Sequence, residues 1–260
     1  MGGCDASGVA PRRDLTENGS GFGSPSLAER RLPVLTAADV AQMIDHSILL
    51  PTQTEKDLEE GIAYCREVRV KCAVPKAFQA PQAKRLLEGS DVRLCIPVAF
   101  PQGLNAPEVK RYEAEWAIGH GAQELDMVMN VSALKSRMYD YVERDIAGVV
   151  EVASRHDVPV KVILETCLLT DHEKATACQI AERAGARFVK TSTATQPGGA
   201  TPEDIRLMRK SVSEKVVVKA SAYVTTIEKV LTLYEAGARR FGTGYTRQIL
   251  EGLQALSKKG

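Results

Sequence analysis

Long apolar runs are missing from this chain: no stretch approaches the roughly 20 consecutive apolar residues that a bilayer-spanning helix needs. No membrane partner is therefore expected. Neither sign of charge dominates, with 34 Lys and Arg against 33 Asp and Glu. That balance removes the electrostatic case for nucleic acid or an anionic surface as the main partner. The first residues lack the basic-then-apolar pattern of a secretory signal. Metal-ligand spacing is also absent. His46, His120, His156 and His172 form no H-E-x-x-H motif, and no two of Cys4, Cys65, Cys72, Cys95, Cys167 and Cys178 make a C-x-x-C pair. The expectation is a cytoplasmic protein with reduced, buried thiols, no metal and no cofactor.

What is present is a repeat. Residues 1–33 stand apart, rich in Gly, Ser, Arg and Pro, and are expected to form a disordered arm. The Gly19-Ser20-Gly21-Phe22-Gly23 run inside the arm follows no strand and opens no helix, so it does not read as a dinucleotide loop. Thr36 and Asp39 resemble a capping box that opens a short helix through Met43. Eight apolar runs then follow: 44–50, 70–74, 92–100, 124–131, 158–167, 187–193, 215–221 and 239–243. Each precedes helix-like sequence, and Gly121, Gly185 and Gly237 sit where left-handed helix ends are expected. Thr201-Pro202-Glu203-Asp204 joins an N-cap, a first-turn proline and first-turn acids. Strands alternating with helices make parallel βαβ units, and eight of them predict a single (β/α)8 TIM barrel over residues 34–260, an α/β fold.

Barrel strands are buried on both faces and should be apolar throughout. Here Asp45, Asp126, Lys161, Glu165, Lys190 and Lys219 interrupt them. Such groups cost several kcal/mol unless paired or neutralised, so they either fill the axis as ion pairs or perform chemistry. Two clustered lysines favour chemistry. A nucleophilic amine must be neutral, and a neighbouring ammonium with partial desolvation lowers its pKa. One lysine would then form an imine with a carbonyl while a carboxylate such as Asp126 relays protons. That is metal-independent Schiff-base aldol chemistry.

The same segments resemble deoxyribose-phosphate aldolases over residues 44–252. They are Ile44-Asp45-His46-Ser47-Ile48-Leu49-Leu50-Pro51, Glu124-Leu125-Asp126-Met127-Val128-Met129-Asn130, Val160 through Leu169, Phe188-Val189-Lys190-Thr191-Ser192-Thr193, Val218-Lys219-Ala220-Ser221 and Gly198 through Asp204. The resemblance implies a class I aldolase, a carbon–carbon lyase, with Lys190 as the Schiff-base lysine, Lys219 as its neighbour and Asp126 as the relay. Asp45 and Lys161 would hold the network. Cys72 falls at a pocket position, with a core cysteine as the other reading. A small aldehyde or sugar is the implied substrate, and a homodimer is left open.

Departures from the family pattern cluster at its phosphate-binding loops, placing Thr193, Ala222, Tyr223, Gly242 and Tyr245 at the substrate. Where the family continues Gly-Gly-(Ile/Val)-Arg-Thr after Ser221, this chain has Ala222-Tyr223-Val224-Thr225-Thr226. Ala194 replaces a glycine after Thr193, and Thr243-Gly244-Tyr245-Thr246 follows Gly242. A Cβ where φ must be positive is expected to close the approach of backbone N–H groups to phosphate. The expectation is thus an aldolase acting on an unphosphorylated or bulkier acceptor. Ordinary 2-deoxy-D-ribose 5-phosphate cleavage, a Schiff-base lyase or dehydratase, and a non-catalytic barrel are the alternatives.

Overall fold

The computed structural model describes residues 35–257. The arm expected over residues 1–33 lies outside the described residues. The order is α1 (Ala37–Ala41), β1 (Ile44–Ile48), α2 (Glu55–Val68), β2 (Cys72–Pro75), α3 (Ala80–Leu87), β3 (Arg93–Val98), α4 (Pro107–Gly119) and β4 (Glu124–Val128). There follow α5 (Val131–Lys135), α6 (Tyr139–Ser154), β5 (Val160–Ile163), α7 (Asp171–Arg183), β6 (Phe188–Lys190), α8 (Pro202–Ser211), β7 (Val217–Ser221), α9 (Ile227–Glu235), β8 (Arg240–Thr243) and α10 (Thr246–Ser257). All eight strands are parallel and close into a barrel, β8 pairing back onto β1.

The helix ends follow from local chemistry. Thr36, Thr54 and Thr170 each accept a backbone N–H three residues on, while Asp39, Asp57 and Glu173 return the bond. Thr201 caps α8 by accepting from the Asp204 amide, with Pro202 in the first turn. Gly121, Gly185 and Gly237 hold φ of 99°, 87° and 119°, the left-handed conformation that stops α4, α7 and α9. The strands are shorter than their apolar runs. After Val128, β4 breaks off because Asn130 caps the short α5, which the periodicity did not separate.

The helices bury one stripe each against the outer wall of the barrel, as Leu58, Ile62 and Cys65 do on α2. Their partners are strand residues such as Leu125, Val162, Val189 and Val218, all fully buried. The apolar core is therefore a shell between strands and helices. The space inside the barrel carries charge instead.

One buried ion pair belongs to the shell. Lys110 on α4 donates to Asp145 on α6 at 2.5 Å and to the Val128 carbonyl at 3.1 Å, and both side chains are fully buried. It ties two helices to the end of β4. Lys110→Met should destabilise the fold by about 3–5 kcal/mol in urea unfolding, because Asp145 is left buried and unpaired. Adding Asp145→Leu should recover most of that loss. Equal stability of the single and double variants would show that the pair contributes no such penalty.

Candidate active site

The inward positions of six strands bring together seven ionisable side chains. Strand register does the placing. Lys190, the last residue of β6, is the partner of Lys219 on β7. Asp126 on β4 is the partner of Lys161 on β5, and Lys219 is in turn the partner of Arg240 on β8. Asp45 on β1 lies opposite Gly242, where a Cβ would sit 2.5 Å from Ser221 Oγ and 3.3 Å from Lys219 Cε. Glycine at this point leaves room for the lysine to cross the axis.

Asp126 is the hub. Its Oδ2 accepts from Lys190 Nζ at 2.6 Å and Lys219 Nζ at 2.8 Å, and its Oδ1 accepts from Lys161 Nζ at 2.8 Å. Cys95 Sγ lies 3.2 Å from both Oδ1 and Lys161 Nζ. Lys219 also meets Asp45 Oδ2 at 2.5 Å, whose Oδ1 takes Arg240 at 2.6 Å. Deeper still, Glu124 joins Lys161 at 2.8 Å and Arg240 at 3.1 Å. The charges are stacked along the axis, with Lys190 uppermost and slightly exposed at 5%.

Four cations (Lys161, Lys190, Lys219 and Arg240) thus share three anions (Asp45, Glu124 and Asp126) away from water. Arg93, half-exposed at the far end, adds a further cation to Glu124. One amine is in surplus, and the environment selects which. Burial pulls Lys190 below its ordinary value; Asp126 opposes, and the Lys219 charge adds to the fall. Burial also opposes charge on Lys219, but Asp126 and Asp45 outweigh it and hold that lysine up. Lys161 is held well above the usual lysine range by the same means, with Asp126 the largest favourable partner. Burial would raise Asp126 and Asp45, yet the surrounding lysines keep both well below the carboxylate range. Of the three lysines Lys190 is thus the one most readily neutralised, beside an ionised carboxylate and a lysine held charged.

A cavity of about 400 Å³ opens above Lys190. Asp45, Asp126, Lys190, Thr193, Lys219, Ala222, Tyr223, Gly242 and Tyr245 all line it. Cys72 and Lys161 do not. Cys72, expected at the pocket, is fully buried at the start of β2 beside Val74 and Cys95, with Sγ 3.4 Å from Arg240. The cavity reaches β2 only at Val74, two residues nearer the mouth. Asp45, Cys72 and Glu124 are grouped closely enough to suggest a metal, but their carboxylates are taken by Lys161, Lys219 and Arg240, whose charges repel a cation. His46 also lines the cavity; its Nδ1 lies 2.8 Å from Thr246 Oγ1, and burial pulls it down to about 4, leaving it neutral.

The loops that carry the replacements stand at the cavity. Ala194, Ala222 and Tyr223 adopt φ of 72°, 70° and 54°. Their backbone is left-handed although each carries a Cβ, a strain of roughly 1–2 kcal/mol per residue. The space that this needs comes from Gly199, where a Cβ would lie 2.6 Å from the Ala222 carbonyl oxygen and 2.6 Å from the Tyr223 ring. Tyr223 and Tyr245 are 61% and 51% exposed, at the rim.

No family model matches the chain. It is 49% identical over 216 residues to the deoxyribose-phosphate aldolase of Streptococcus sanguinis, spanning 82% of this chain and 96% of that one. With the deoxyribose-phosphate aldolase of Methanothermobacter thermautotrophicus it shares 47% over 226 residues, 85% and 98% of the two chains. Among solved structures, the tetrameric deoxyribose phosphate aldolase of Aeropyrum pernix matches with TM-score 0.80 and 31% identity, over 85% and 93%. An aldolase called QR15 matches with TM-score 0.79 and 35% identity, over 85% and 97%. Fold and relatives define a class I aldolase, a carbon–carbon lyase. The chain belongs to the deoxyribose-phosphate aldolase family.

The pH dependence follows from the charge surplus. A lysine nucleophile reacts as the free amine, so with Lys190 in that role activity falls as pH drops through its pKa. Lys219→Leu removes a like charge and leaves Asp126 more fully to Lys190, and both changes raise the Lys190 pKa. The acid limb of kcat/KM should move to higher pH. An unmoved limb would show that Lys219 does not set the protonation of Lys190.

Proposed function

We propose that this enzyme reversibly cleaves 2-deoxy-D-ribose 5-phosphate into acetaldehyde and a three-carbon aldehyde phosphate through an imine on Lys190. The observation that carries the imine is the Lys190 amine, its pKa lowered by burial, 2.6 Å from Asp126 at the floor of an open cavity. Lys190 Nζ attacks the C1 aldehyde of the open-chain sugar to give a carbinolamine. Asp126, ionised and sharing Oδ2 with Lys219, takes the proton that the attacking nitrogen sheds and returns it to the carbinolamine oxygen; a second proton from solvent lets that hydroxyl leave as water, giving the iminium. The iminium then draws the C2–C3 electrons as the C3 hydroxyl gives its proton to Asp126. The aldehyde phosphate departs, Asp126 returns that proton to C2 of the enamine, and water adds to the resulting iminium, releasing acetaldehyde, one proton and the free amine of Lys190. In this reading Lys219 stays charged throughout and Asp45 holds it in place.

The phosphorylated substrate is supported by what the relatives are called and by the retained left-handed turns at Ala194, Ala222 and Tyr223. Those three residues line the cavity together with Gly244 and Tyr245, which precede α10. A refitted acceptor site draws no such support from the relatives. A cytoplasmic location fits the five described cysteines, all free thiols.

The test compares deoxyribose 5-phosphate with deoxyribose at fixed pH and ionic strength. Two charge-assisted hydrogen bonds to phosphate, each about 1.5–3 kcal/mol, should give a preference of roughly a hundredfold or more in kcat/KM. Borohydride with acetaldehyde should add one ethyl group at Lys190. Equal use of both sugars would overturn the phosphorylated substrate, and label mapping elsewhere would overturn the lysine.

A further inference from the structure

Glu165 is a buried carboxylate that the reaction above does not use. It follows β5 with φ 57° and ψ 64°, a left-handed conformation that costs a glutamate free energy. The strain has a local purpose. The Leu164 amide donates to the Lys190 carbonyl at 2.9 Å and the Thr166 amide to the Thr191 carbonyl at 3.0 Å, so both neighbours pair with β6. The left-handed turn at Glu165 directs its own side chain along the same edge. Its two oxygens then accept from the Thr193 amide at 3.2 and 3.3 Å, where the strand ladder has ended.

Thr193 also donates its hydroxyl proton to Glu165 Oε2. With that proton committed, Thr193 Oγ1 serves as acceptor, taking the Thr195 amide at 3.2 Å and the Thr195 hydroxyl at 2.8 Å. Between them lies Ala194, held at φ 72°. Thr193, Ala194 and Thr195 all line the cavity. Glu165 is 3% exposed, and burial raises its carboxyl above the usual range despite the Thr193 bonds and the nearby Lys190 charge.

We infer that Glu165 is the positioning residue of the acceptor side of the cavity, fixing the Thr193–Ala194–Thr195 turn whose backbone meets the aldehyde phosphate. The inference rests on the reaction proposed above. Donor chemistry at Lys190 is separable from it, because Lys190 is held by Asp126 and the strand ladder rather than by this turn.

The experiment uses the full chain and reads two quantities: KM and kcat for deoxyribose 5-phosphate, and the rate of borohydride trapping with acetaldehyde alone. Glu165→Gln keeps the shape but exchanges an accepting oxygen for an NH₂ group that cannot take the Thr193 proton. KM should rise about tenfold or more, the size of one lost charge-assisted bond, while trapping at Lys190 proceeds as in wild type. Thr193→Val should reproduce the KM shift and carries the test alone if Glu165→Gln fails to fold. Where both fold, the double variant should be no worse than either single one, because all three break the same bond. An unmoved KM, additive effects, or trapping lost in step with KM would each overturn the inference. A wild-type chain that traps acetaldehyde but does not cleave the sugar phosphate would overturn the assigned reaction and this inference together; a cleaving wild type with an unmoved Glu165→Gln KM overturns this inference alone.

Discussion

The Asp126 carboxylate, shared by three lysines in a dry barrel, is the constraint on which the site depends. An isolated carboxylate there would take up a proton, and isolated lysines would lose theirs. Together they hold each other ionised until the anions run out. Because the axis carries one more buried cation than anion, one amine must be cheap to neutralise. Lys190 is that amine through position: it ends β6 and is ion-paired to a single carboxylate, whereas Lys219 has both Asp126 and Asp45. Arg240 and Glu124, deeper in the barrel, keep Asp45 committed to Lys219.

Much of this was legible in the sequence. Eight apolar runs alternating with capped helices define the barrel, since period and caps are local properties that the fold does not override. Lys190, Lys219 and Asp126 stood out as charges inside apolar strands. Glu124 and Arg240 escaped notice because each sits at the first position of its strand, where a charge reads as a solvated edge. Lys110 and Asp145 were hidden for the same reason on helices: only the packing of α4 against α6 turns two ordinary surface charges into a buried pair. Cys72 was placed one layer too high, because the depth of a residue in a barrel depends on stagger between strands, which no single strand reveals.

The loops teach a different lesson. Ala194, Ala222 and Tyr223 stand in left-handed backbone although none is glycine, because a Cβ makes positive φ costly rather than impossible, by about 1–2 kcal/mol. Such a cost is met when neighbours over-determine the turn, as Gly199 does for Ala222 and Tyr223 and as Glu165 and Thr195 do for Ala194. Strain at the cavity and rigidity around it are one arrangement, in which Glu165 itself stands in left-handed backbone.

The central claim is that the charge surplus falls on Lys190. Lysine labelled with a heavy carbon isotope at Cε, followed by NMR across pH and assigned by Lys190→Arg, measures it directly. The account expects the Lys190 signal to titrate below the ordinary lysine value of about 10.4, with Lys161 and Lys219 still charged above it. A Lys190 signal that stays charged past that value, while Lys219 loses its proton first, would contradict it.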